Sequence, residues 1–183
     1  MNKKFISIPN DSFTILVGFS DFLNRTLADV QVKFRQGTIV YIHSGGGNLY
    51  LQSSAGDKSR IEFRQERNII DIIAMLESDP ARFIILAYDP AWFRHNEEYI
   101  GPFGYVCRKR SGNRQEVLLI SETFDSTISE LESIADKLVC VQERYTGSNK
   151  RYTDPFRYVP SSPPSGHTPS SKAKNDRQQC LIW

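Results

Sequence analysis

Short apolar segments, none longer than seven residues and each closed by a Gly, Asn or Asp cluster, set the tightest limit on how this chain folds. Residues 13–19 read as a buried strand, and Ser20-Asp21 caps a short helix over 22–27. Four alternating segments follow, at 30–34, 38–42, 48–52 and 60–64, separated by Gln36-Gly37, the glycine run 45–47 and Ala55-Gly56-Asp57. Period-two alternation broken by such clusters predicts an antiparallel meander with one buried face. The period then changes. Ile69, Ile72, Ile73 and Leu76 share a helical face that Asp79-Pro80 ends.

Strands are expected again at 83–88, 103–107 and 117–120, the last two joined by a basic hairpin turn over 108–114. Thr127 and Glu130 have capping-box spacing. Ile128, Leu131, Ile134, Ala135, Leu138 and Val141 then form the stripe of a long amphipathic helix. The fold class expected is therefore α+β, an antiparallel β-sandwich or partly open barrel capped by a C-terminal helix. Residues 1–147 form that domain. Residues 148–183, with Pro160, Pro163, Pro164 and Pro169 among Ser, Lys and Asn, form a disordered tail.

Charge divides the same way. The first 147 residues hold 17 Lys and Arg against 19 Asp and Glu, and the tail holds 6 against 2. A folded part of net −2 is not a basic nucleic-acid module. Cys107, Cys140 and Cys180 lack metal-ligand spacing and leave an odd thiol, which suits a reducing, cytoplasmic interior. No apolar run approaches membrane-spanning length.

No catalytic apparatus is legible, so the expectation is a non-enzyme without cofactor or metal. His43 precedes the glycine run, but no nucleophile elbow accompanies it and no Lys-Ser/Thr follows as a phosphate loop requires. A small enzyme built around His43 or His95 is the least favoured alternative. The turn bearing Arg108, Lys109, Arg110 and Arg114 suits phosphate, on a phosphorylated peptide or a phosphoinositide. In the tail, residues 157–163 approach a PxxP ligand. Cys180-Leu-Ile-Trp183 has C-a-a-X form, with Cys180 the lipidation candidate and Lys172, Lys174 and Arg177 a second membrane signal.

The stretch Phe83-Ile-Ile-Leu-Ala-Tyr-Asp-Pro90, the segment Phe103-Gly-Tyr-Val-Cys-Arg-Lys109 and the capped helix after Val117-Leu-Leu-Ile120 resemble the C-terminal half of phosphotyrosine-binding domains of the tensin type. The resemblance implies a pleckstrin-homology-like sandwich, and an adaptor that adds an extended, Asn-Pro-x-Tyr-like peptide to a sheet edge. Carried over, Phe83, Ile84, Ile85, Leu86, Ala87 and Tyr88 form the pairing strand and Leu138 and Val141 the helix wall. Arg82 is the phosphate ligand, with Arg60 and Arg64 behind it. Partners expected are a protein or peptide and an anionic membrane surface, the second belonging to the alternative of a phosphoinositide-binding module.

Overall fold

A computed structural model describes residues 8–33, 37–45, 61–112, 115–142 and 178–182. Seven strands form one sheet: β1 (Phe13–Val17), β2 (Ile39–His43), β3 (Ile61–Gln65), β4 (Phe83–Ala87), β5 (Glu116–Ser121), β6 (Lys137–Gln142) and β7 (Gln178–Ile182). Their spatial order is β3-β2-β4-β5-β1-β6-β7, and every pairing is parallel. Among the described residues four α-helices lie between strands: α1 (Ser20–Lys33), α2 (Ile69–Ser78), α3 (Ile100–Ser111) and α4 (Ser126–Glu132). This is a doubly wound α/β fold, not an antiparallel sandwich.

Burial along the strands gives the reason. Every residue of β1, β4 and β5 is buried, as a sheet covered on both faces requires. One face carries Phe13, Ile15, Val40, Ile42, Ile84 and Leu86 and packs on Ile69, Ile72 and Leu76 of α2, Phe103 and Cys107 of α3, and Ile128 and Leu131 of α4. The opposite face, with Leu16, Tyr41, Ile85 and Ile120, packs on Phe22, Leu23, Leu27 and Val30 of α1.

The likeness to phosphotyrosine-binding domains therefore fails, and its elements resolve differently. Residues 103–107 lie in α3. Ile100, Phe103, Cys107 and Arg110 recur at three- and four-residue steps and are all buried. Pro102 sits in the first turn, where no backbone donor is needed, and Arg108, Lys109 and Arg110 suit the dipole of the last turn. The basic hairpin is thus a helix end. The long closing helix is short α4 followed by strand β6, which contains both Leu138 and Val141. Asp136 pins that strand's start: its backbone N–H donates to Phe13 O at 3.0 Å, and its carboxylate accepts from Phe13 N at 2.9 Å. Most of the segment 30–34 continues α1 instead of forming a strand. The segment 48–52 lies outside the described residues.

Candidate functional site

In open parallel sheets, ligands bind beyond the carboxyl ends of the strands where neighbouring connections part. Here β2 leads out to β3 while its neighbour β4 leads back toward β5, and β1 leads away to β2 while its neighbour β6 leads to β7. Two crevices result, between β2 and β4 and between β1 and β6. Between β5 and β1 the outgoing connections run on opposite faces.

At the first crevice the Ser44 hydroxyl donates to Asp89, bridging the two strands just past their ends. The other Asp89 oxygen accepts from Ala91 N at 2.8 Å and caps a short 3-10 turn, Pro90–Trp92. Ser44 O accepts from Gln65 Nε2 and Arg67 Nε, each at 3.3 Å. His43, one residue earlier, is half-buried, and its Nδ1 meets no hydrogen-bond partner among the described residues. Burial holds its pKa below the ordinary histidine value. Because Ser44 donates to a carboxylate and not to an imidazole, Ser44, His43 and Asp89 do not assemble as nucleophile, base and orienting acid.

At the second crevice Gly18 and Phe19 alone separate β1 from α1. A Cβ on Gly18 would stand 2.6 Å from Phe22 Cδ1 and 3.4 Å from Val141 Cβ. The Phe22 ring therefore occupies the space between β1 and β6, and glycine is needed for its close approach. A phosphate-binding loop takes the same strand-to-helix position, but it needs a longer glycine-rich segment ending in Lys-Ser/Thr. Between β5 and β1 the Ser20 hydroxyl, at the start of α1, donates to Glu122. Glu122 and Asp21 place negative charge where the helix dipole would draw an anionic ligand.

Asp125 repeats the design of Asp89. One oxygen accepts from Ile128 N at 2.9 Å and caps α4, two residues before the Thr127 cap expected from spacing, and the other accepts from Tyr88 OH at 2.7 Å. Tyr88 also stacks on Phe93, with centroids 6.3 Å apart, and meets Trp92 edge-on. Burial first, and then the Asp125 carboxylate, hold its phenol well above the ordinary tyrosine value, against a hydrogen bond with Thr127 that pulls the other way.

The residues singled out from sequence are scattered. Phe83, Ile84, Ile85, Leu86 and Ala87 are β4, paired with β2 on one side and β5 on the other, so no ladder positions remain for an added peptide. Leu138 and Val141 belong to β6, three places away in the sheet. Arg82 is exposed at the amino end of β4, far along the strand from the carboxyl rim. Arg64 bonds Glu62 at 2.7 Å and also bonds Asp79. Arg110 is buried and donates to Leu76 O, to Asp79 O at 2.5 Å and to Ala81 O at 2.9 Å, a structural role closed to an outside phosphate. Arg108 and Lys109 are exposed on α3, Arg108 bonding Ile134 O at 3.3 Å. Arg60 and Arg114 lie outside the described residues, as does the tail up to residue 177. Cys180 lies in β7. His95 is exposed in a turn, with φ of 66°.

Sequence reasoning passed over Ser44, Asp89, Glu122 and Asp125. The available signals were Asp89-Pro90 after an apolar run and Asp125 three residues before Ile128, both cap patterns. Among the described residues no group of three or more His, Cys, Asp or Glu is placed to hold a metal ion, and no helix is long and apolar enough to cross a membrane. No protein-family model matches this chain, and a search of curated proteins also returned no match.

Proposed function

We propose that this domain is a non-catalytic binding module that recognises a protein partner through its surface and does not turn over a small molecule at its strand ends. One observation carries the reading: among the described residues, the openings at the carboxyl rim are bridged by the chain's own groups. Ser44 and Asp89 span β2 and β4, Ser20 and Glu122 span α1 and the end of β5, and Phe22 fills the space between β1 and β6. A ligand entering there would have to displace charge-assisted hydrogen bonds or a buried ring.

The outward face of α3 supplies the contrasting surface. Tyr105 is 65% exposed, with Arg108 and Lys109 one turn further on and Gly101 one turn before. Exposed tyrosine beside arginine is the composition enriched at protein interfaces, and Lys109, with Arg108 already paired to Asp136 at 3.5 Å, favours a partner bearing carboxylates.

Thermal unfolding of the intact protein with and without magnesium-ATP and magnesium-GTP tests the closed rim. An unchanged midpoint is expected, whereas a nucleotide at a hundred times its Kd would add about 2.7 kcal/mol. A saturable rise with either nucleotide would overturn the reading. NMR titration with a polyglutamate peptide tests the surface. Shifts are expected at Gly101, Tyr105, Arg108 and Lys109 and should be lost in Tyr105→Ala, and shifts confined to Gly18, Ser44 and Asp89 would return function to the rim.

A further inference from the structure

The outward side of α3 carries charges of opposite sign at its two ends. The 3-10 turn Glu97–Tyr99 runs directly into the helix and exposes Glu97 and Glu98. Lys109 is exposed in the last turn. Among the described residues none of Glu97, Glu98 and Lys109 takes part in an ion pair, whereas Arg108 is held by Asp136 at 3.5 Å. Between the two ends lie Gly101 and Tyr105. Residues four apart follow one another along a helix surface, so Glu97, Gly101, Tyr105 and Lys109 form one row, with Glu98 beside its start. Tyr105 is the most exposed large hydrophobic side chain among the described residues, and a Cβ on Gly101 would meet nothing within 4 Å. The row thus holds an exposed ring and, one turn away, bare backbone.

Such a row fits a copy of itself run backwards. A two-fold axis midway between Gly101 and Tyr105 sets Tyr105 of each copy over Gly101 of the other, and Lys109 of each against Glu97 and Glu98 of the other. Resting on the reading of α3 as the partner surface, we propose that the partner is a second copy of this chain, docked α3 against α3 in a weak antiparallel dimer. Two-fold symmetry makes every contact twice, so ammonium–carboxylate pairs close both ends around two Tyr–Gly contacts. The charges also fix the direction, because parallel helices would set Lys109 against Lys109 and Glu97 against Glu97.

Exposed Asp71 and Glu77 on α2, and Glu130 on α4, flank α3 on its two sides. The same axis brings α2 over α2 and α4 over α4, and these like charges confine the contact to α3. One helix from each copy buries less than the roughly 1,600 Å² of a standard interface, which makes association weak and sensitive to salt.

Sedimentation equilibrium of the full chain from about 10 to 500 µM, a range suited to so small an interface, tests the dimer. A monomer–dimer equilibrium is expected, weakened about tenfold when sodium chloride rises from about 50 to 500 mM. Gly101→Leu should weaken it by about tenfold or more without lowering the unfolding midpoint, since leucine favours helix over glycine and finds open space in the single chain. Lys109→Glu and the double change Glu97→Lys/Glu98→Lys should each leave only monomer. An equal mixture of those two variants should dimerise again, because every pair across the axis is then of opposite sign. A fold damaged by either change would not be rescued that way. Monomer throughout the range, a native dimer that none of these changes weakens, or a mixture that stays monomeric would overturn the proposal. In the first case, polyglutamate shifts at Tyr105 and Lys109 would keep α3 as the surface for a different acidic protein, and their absence would remove that surface as well.

Discussion

On the amino side of β4, the Asp79 side chain is 4% exposed and lies among Arg64, Arg110 and the backbone of Ala81, whose N–H it accepts at 2.6 Å. Arg110, equally buried, reaches three carbonyls at the end of α2 and the start of β4. At the carboxyl end, Asp89 and Asp125 also accept from a backbone N–H and from one side chain, but those side chains are neutral hydroxyls and the surroundings are only partly buried. The same carboxylate chemistry thus serves two purposes. Where water is excluded, opposite charges must be matched completely or the fold loses heavily. At the carboxyl end, each carboxylate ties two segments together at modest cost, so that rim tolerates change better than the amino-end cluster does.

Breaking the amino-end cluster should have the largest effect. Arg110→Ala removes the donors to three carbonyls and one of the two cations near buried Asp79. We expect a loss of about 3–5 kcal/mol in urea unfolding, with Arg110→Lys recovering only part of it. A loss below about 1 kcal/mol would mean the buried pair is not a true contrast to the rim. Asp125→Ala should come next, at about 2 kcal/mol, because it removes a helix cap and the carboxylate that accepts from the Tyr88 hydroxyl.

Tyr88→Phe is milder, at about 1 kcal/mol near neutral pH, and it sharpens the comparison through its pH dependence. A phenol whose folded pKa is raised lends stability that is full below its unfolded pKa of about 10 and is lost as the pH climbs through the folded value. The native protein should therefore lose stability above about pH 10 more steeply than Tyr88→Phe does. His43 gives the smallest effect, with the opposite sign. Its folded pKa is depressed, so stability is full above about 6.5 and declines as the pH falls through the folded value. His43→Gln should flatten the acid limb between pH 7 and 5, and an unchanged limb would show that the ring is better hydrated than its place in β2 implies.

Much of the element inventory was legible in the sequence. The strands β1, β2, β3, β4 and β5 and the helix α2 follow from apolar runs and from the Ile69, Ile72 and Leu76 spacing. Their direction was not legible, because a run such as residues 83–87 carries no mark of parallel or antiparallel neighbours until both faces are seen to be covered. The helix α3 was misread because Phe103, Tyr105 and Val106 favour strands and Arg108, Lys109 and Arg110 look like a turn, while the step from Ile100 to Arg110 that marks the buried face includes a charged residue. The strand β6 was hidden because Leu138 and Val141 continue the spacing of Leu131 and Ile134. The β-branched Val139 and Val141 beside Asp136 were the competing sign. The rim was illegible for a further reason: Ser44 and Asp89 stand 45 positions apart and meet only through the pairing of β2 with β4.

The position of β1 has a consequence in time. It is the first of the described strands, yet it lies between β5 and β6, with Phe13 opposite Val117 and Ile15 opposite Leu138. Neither neighbour exists until more than a hundred further residues have been synthesised, and closing so long a loop is slow. An apolar segment made early must therefore wait for its place, exposed to the ribosome surface and to chaperones that bind such runs. An interior strand of the finished sheet is thus the nascent chain's longest-lasting liability.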